Sequence, residues 1–132
     1  MSTVKKVLVV DDESDARAFV RAILEPEGWQ VEEAFDGVDG LKQAKALKPD
    51  LMVLDVQMPR KGGFELFSEL IQDPALQNIK VVMLTGVAER TGLRFSGKEM
   101  GEFLGKEPDA YVEKPIDPEI LKRAVQKVAG GA

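Results

Sequence analysis

Three short apolar runs and one mixed run, each stopped by a polar residue, constrain this chain more than any other feature. Val7-Leu8-Val9-Val10 precedes Asp11-Asp12, and Leu51-Met52-Val53-Leu54 precedes Asp55. Val81-Val82-Met83-Leu84 precedes Thr85, and Tyr111-Val112-Glu113 precedes Lys114. Such runs are too short for a lone helix and read as strands, the one ending at Asp55 as a strand buried on both faces. Pro59 and Gly62-Gly63 follow Asp55, so that strand runs out into a loop.

Helical periodicity fills the gaps. Val4–Val10 is the first predicted strand, and Ser14 is a candidate N-cap for the helix after it. Ala16, Phe19, Val20, Ile23 and Leu24 give that helix one apolar face, and Pro26 and Gly28 end it. Trp29–Phe35 is a second strand, and Asp36-Gly37 a turn. Val38, Leu41, Ala44 and Leu47 carry a helix closed by Pro49, and Phe64, Phe67, Leu70 and Ile71 carry another before Pro74. Lys80–Leu84 is strand four and Ala110–Glu113 strand five. Asp117 caps the last helix, with Pro118 in its first turn and Ile120, Leu121, Ala124, Val125 and Val128 as its buried face. Gly86 to Asp109 holds five of the twelve glycines. Any helix there is weak, the best candidate running from a capping box at Ser96-Gly97-Lys98-Glu99 to Gly105, with Gly86 to Phe95 as a loop.

Strand and helix alternate five times, which calls for an α/β fold with a mainly parallel sheet and helices on both faces. Ligands of such open sheets bind beyond the carboxyl ends of the strands. Asp11, Asp12, Asp55, Thr85 and Lys114 all fall there.

Composition narrows the chemistry. The 132 residues suffice for one domain with a real core. A net charge of −5 disfavours nucleic acid. The chain has no cysteine and no histidine, which removes disulfides, thiolate clusters, histidine-ligated zinc and Ser-His catalysis. Carboxylate, lysine, hydroxyl and bound metal remain. No apolar run approaches a membrane span and no signal peptide is present, so a cytoplasmic protein is expected.

If Asp11, Asp12 and Asp55 converge within about 5 Å, each pair repels by roughly 3 kcal/mol at an effective dielectric near 20. Such a cluster needs a cation or a proton, and an all-oxygen site with few carboxylates suits Mg²⁺. Asp55 has three readings: metal ligand, nucleophile towards phosphorus, or polar strand end. Lys114 would cancel charge and Thr85 would donate its hydroxyl to a phosphoryl oxygen. Taken singly, Asp11 and Asp12 would merely favour a helix N-terminus, Thr85 would end a strand, and Lys114 would be solvated.

Asp11-Asp12, Asp55 with Met58-Pro59 and Gly63, Thr85-Gly86, Tyr111 and Lys114-Pro115 together resemble the receiver domain of bacterial two-component response regulators. The resemblance covers essentially the whole chain, as one domain over residues 1–132 of the stand-alone chemotaxis type. It implies a flavodoxin-like sheet in the order 2-1-3-4-5. It further implies that Asp55 accepts a phosphoryl group from a sensor histidine kinase or phosphotransfer protein. Asp11, Asp12, Asp55 and the backbone carbonyl of Gln57 would bind Mg²⁺, while Thr85 and Lys114 contact the phosphoryl group. Thr85 and Tyr111 would then switch the face made by the fourth helix, the fifth strand and the last helix. The output would be contact with a downstream protein by a monomer or weak homodimer, with no enzymatic turnover beyond slow self-phosphorylation and self-dephosphorylation. The resemblance also implies a cis Lys114-Pro115 bond.

Two departures stand out. Gly62 occupies a position where the family often has an acid, and the stretch from Thr85 to Lys114 is longer than usual, giving an extended loop at about 86–96. Two rivals remain. A Mg²⁺-dependent phosphohydrolase of the haloacid dehalogenase type would want a second acid where Gln57 stands. A receiver-like binding module that is never phosphorylated would have no use for the acid pair, Asp55, Thr85 and Lys114. A flavin-binding protein of related topology is disfavoured, because Asp11-Asp12-Glu13 would repel its phosphate.

Overall fold

A computed structural model describes residues 5–56, 58, 61–86 and 108–130. Five parallel strands form one sheet: β1 (Lys5–Val10), β2 (Trp29–Ala34), β3 (Leu51–Asp55), β4 (Lys80–Thr85) and β5 (Ala110–Glu113), in the order β2-β1-β3-β4-β5. The described helices are α1 (Ser14–Leu24), α2 (Gly37–Leu47), α3 (Gly63–Gln72) and α4 (Pro118–Gly130). The expected helix from Ser96 and the extended loop from Val87 onward lie outside the described residues.

Strand alternation builds two cores. Val7, Val9, Leu51, Val53, Val82 and Leu84 point to one face, where Val20, Ile23 and Leu24 of α1 and Leu121 and Val125 of α4 cover them. Leu8, Val10, Met52, Leu54, Val81 and Met83 point to the other, beneath Ala44 of α2 and Leu66, Phe67 and Leu70 of α3. Both faces of β1, β3 and β4 are therefore dry, which is why their sequences are continuous apolar runs. Each fully buried Leu or Val contributes about 1.5–3 kcal/mol.

Three apolar residues expected on buried faces are exposed instead: Phe19 on α1, Val38 on α2 and Ile120 on α4. At 100° per residue each sits at or beyond the rim of its helix's buried stripe, which is centred on Val20 and Ile23, on Gly37, Gly40 and Ala44, and on Leu121 and Val125 respectively. Ser14 is the first residue of α1 rather than its cap; Glu13 holds the cap position, without a side-chain bond. Asp36-Gly37 is the start of α2, not a free turn, with the Asp36 carboxylate accepting from the Asp39 amide at 2.8 Å. Asp117 caps α4 as expected, accepting from the Glu119 amide at 2.9 Å.

Two glycines are dictated by the backbone. Gly28 closes the turn after α1 at φ +97°, a conformation other residues rarely adopt. Gly63 opens α3 so close to β3 that a Cβ there would lie 2.4 Å from the Asp55 carbonyl oxygen. No rotamer relieves a clash with backbone. Gly63→Ala is expected to cost about 1–3 kcal/mol and lower the urea midpoint. An unchanged midpoint would show that the α3 entry yields freely.

The chain runs from β1 outward to β2 and returns to β3 on the opposite side of β1. The carboxyl ends of β1 and β3 thus flank the topological switch point, where open α/β sheets place their ligands. Among the described residues, no helix is long and apolar enough to cross a membrane.

Candidate functional site

Register brings the polar strand ends together. Val10 pairs with Leu54, so Asp11, the next residue, lies beside Asp55. Asp55 pairs with Leu84, the residue before Thr85. Thr85 pairs with Glu113, and the Lys114 amide donates to the Thr85 carbonyl at 2.7 Å. One carboxylate oxygen from each of Asp11, Asp12 and Asp55 lies within 4.8 Å of the others. Lys114 Nζ sits 2.9 Å from Asp55 Oδ1 and 3.5 Å from Asp11 Oδ2. The Lys114-Pro115 bond is cis, as the resemblance implied.

Among the described residues, the site is short of positive charge. Asp11 and Asp55 are 1% and 4% exposed, while Asp12 is open to solvent. Three carboxylates there face one ammonium. Burial pushes the Asp11 carboxyl up, against the Glu13 amide bond and Lys114, which favour its charge, while Asp12 adds repulsion. Burial works against the Lys114 charge, but its bond to Asp55 prevails and the ammonium is held above its ordinary value. The two groups act on stability with opposite signs. Lys114 contributes stability that is full below pH 10.5 and lost as pH rises through its higher folded value. Asp11 costs stability at neutral pH, a cost relieved as pH falls through its raised value.

The residues fit a divalent cation. Asp11 Oδ2 is buried and has no hydrogen-bond partner among the described residues, since Lys114 at 3.5 Å is an ion-pair neighbour and too distant for a good bond. A hard, oxygen-only donor set with two buried acids and one exposed acid suits Mg²⁺ with water in the remaining positions.

Four of the expected residues, Asp11, Asp12, Asp55 and Lys114, therefore converge in one cluster. Thr85 is buried at the neighbouring strand end. Tyr111 lies on the outer strand, opposite Met83 and 37% exposed. Gln57 and Pro59 lie outside the described residues, while Met58 packs half-buried on the α2/α3 core. At Gly62, a Cβ would lie 2.7 Å from the Val56 carbonyl oxygen, so the departure noted there is tied to a tight passage of the loop.

Sequence reasoning missed Arg17 and Glu33. Arg17 Nη1 donates to the Asp11 carbonyl at 2.8 Å, and its Nε to Glu33 at 2.9 Å. Glu33 also accepts from Arg21 at 2.7 Å. Burial works against its ionisation, yet the bonds from Arg21 and Arg17 hold its carboxyl below the usual range. Nothing local in the sequence links residues so far apart.

A family profile described as a response regulator receiver domain matches residues 7–126. The chain is 36% identical over 124 residues to the alkaline phosphatase synthesis transcriptional regulatory protein PhoP of Bacillus subtilis, covering 94% of this chain but only 48% of that one. It is 32% identical over 126 residues to Protein PilH of Pseudomonas aeruginosa, covering 96% of this chain and 98% of PilH. The fold matches the chemotaxis response regulator CheY4 of Vibrio cholerae with a TM-score of 0.80 at 30% identity, over 96% of this chain and 99% of CheY4. The haloacid dehalogenase reading finds no support in these matches.

Proposed function

The chain belongs to the response regulator receiver family, and from that premise we propose that Asp55 is its phosphoacceptor. The observation that carries this is the Asp55 carboxylate at the end of a central strand, nearly buried, beside two further acids and in contact with Lys114. A carboxylate in that place has fixed positive charge on one side and acids poised for a cation on the other.

The reaction follows from these groups. A carboxylate oxygen of Asp55 attacks phosphorus, and the phosphorus–nitrogen bond of a phosphohistidine breaks. The electron pair goes to the leaving imidazole nitrogen, which takes a proton from solvent, and an acyl phosphate remains. Asp11, Asp12, Asp55 and the Gln57 carbonyl would hold Mg²⁺, which supplies charge neutralisation to the phosphoryl oxygens. Lys114 supplies the second positive charge and orients Asp55. Thr85 offers its hydroxyl to a phosphoryl oxygen once the charge arrives. Tyr111, on the strand beside β4, carries the change to the face shared by β5 and α4.

On this reading, one receiver unit spans the chain. It takes its phosphoryl group from a sensor histidine kinase or phosphotransfer protein in the cytoplasm. It signals by binding a downstream protein, as a monomer or weak homodimer, without contacting nucleic acid. It is a signalling domain with at most slow phosphoryl chemistry of its own.

Intact mass after incubation with acetyl phosphate tests the class. The expected result is one phosphoryl group per chain at plateau with Mg²⁺ and none with chelator. Sustained release of phosphate over many turnovers would mark a phosphohydrolase, and no labelling would mark a binding module.

A further inference from the structure

We propose that Arg17 is a positioning residue for the metal site: its guanidinium, anchored on Glu33, clamps the Asp11 backbone and so sets the affinity of the acid cluster for Mg²⁺. This rests on the metal reading above and adds a residue that neither ligates the ion nor contacts the acceptor.

The turn after β1 has to present two carboxylates to one point while repelling itself. Besides the ion pair with Lys114, Asp11 is fixed there by three hydrogen bonds. Its amide donates to the Ala34 carbonyl at 3.2 Å. Its Oδ1 accepts from the Glu13 amide at 3.0 Å, which turns Oδ2 towards the cluster. Its carbonyl accepts from Arg17 Nη1 at 2.8 Å. The first two come from the backbone; the third comes from a side chain, and it holds the backbone of the turn, whereas the Lys114 ion pair acts on the carboxylate.

Arg17 is suited to this by the shape of its head group. Nη1 reaches Asp11 while Nε reaches Glu33 on β2, two directions that a planar fork serves at once. Its side chain is 17% exposed, so the clamp is partly shielded from competing water. Glu33 is itself held by Arg21, which in turn pairs with Glu25 at 2.7 Å. Two arginines and two glutamates thus form a neutral set. That neutrality matters, because an uncompensated guanidinium beside the cluster would oppose the metal it helps to place.

Position and charge make opposite predictions for the same variant. If Arg17 acted only as a nearby cation, Arg17→Ala would tighten Mg²⁺ binding. If it positions Asp11, Arg17→Ala loosens binding although a repelling charge has gone. Arg17→Lys keeps the charge but cannot serve both directions, so it is expected to recover only part of the loss. Glu33→Gln leaves an oxygen for Arg17 but removes the charge that anchors the guanidinium, and is also expected to weaken binding.

The experiment is a Mg²⁺ titration of the full chain, followed at the Asp12 and Glu13 amides by NMR, with thermal melts in chelator alongside. Arg17→Ala should raise the Mg²⁺ dissociation constant about tenfold, with Arg17→Lys and Glu33→Gln between it and the wild type. Equal or tighter binding in Arg17→Ala, or a lower melting temperature with unchanged Mg²⁺ affinity, would overturn the proposal. If Arg17→Ala does not fold, unchanged affinity in both Arg17→Lys and Glu33→Gln overturns it instead. A wild-type chain whose Asp12 and Glu13 amides ignore Mg²⁺ would overturn the metal reading itself, a failure distinct from that of the clamp.

Discussion

Asp55→Asn is expected to take no phosphoryl group while folding as the wild type does. The amide matches the carboxylate in shape but lacks the nucleophilic oxygen that attack on phosphorus requires. Its fold should survive for reasons visible in the site. The substituted side chain keeps an oxygen that can accept from Lys114, which sits 2.9 Å from Asp55 Oδ1 in the wild type. The substitution also removes one of three crowded charges. A weaker bond to Lys114 and a relieved repulsion oppose each other, so the urea midpoint in chelator should move little. Intact mass after incubation with acetyl phosphate and Mg²⁺ should show an unmodified chain. Labelling at the wild-type level would remove Asp55 from its role.

Lys114→Ala should do the reverse, keeping the acceptor and losing the cation. Asp55 and Asp11, both nearly buried, would be left without the ammonium that faces them. Breaking a buried pair by deleting one partner costs on the order of 3 kcal/mol. The loss should be largest at neutral pH in chelator. It should shrink as pH falls, because the Asp11 carboxyl, already pushed up by burial, then takes a proton. Mg²⁺ should restore more stability to the variant than to the wild type, since the ion replaces the missing charge. Phosphorylation should then leave the Tyr111 region unchanged. Urea midpoints at two pH values with and without Mg²⁺ check the first part, and Tyr111 amide shifts with a phosphoryl mimic check the second. An unperturbed midpoint in chelator would mean that Lys114 is only a solvated neighbour.

The site was legible because its chemistry coincides with a rule of the fold. Asp11, Asp55 and Thr85 each stop an apolar run, and in a parallel sheet such stops share one edge. Reading the strands therefore located the residues. The helices were less legible at their margins. Phe19, Val38 and Ile120 fit an apolar periodicity, but the stripe that reaches the sheet is narrower than the periodicity suggests. In α2, buried Gly37 and Gly40 hold positions where apolarity was sought in Val38. Ser14 looked like a cap, yet the Asp11 carboxylate already takes the Glu13 amide one residue earlier. The Arg17–Glu33 pair was invisible for a different reason. It joins α1 to an edge strand, and no local pattern encodes which glutamate a helix arginine will meet across a turn.

The identity of the phosphorylated atom tests the account most directly. Acyl phosphates are reduced by borohydride, which converts a phosphoaspartate to homoserine and marks its position. After incubation of the wild-type chain with Mg²⁺ and acetyl phosphate, reduction and peptide mass spectrometry should place the mark at Asp55 alone. A mark at Asp11, Asp12 or any other residue, with Asp55 unmodified, would contradict it.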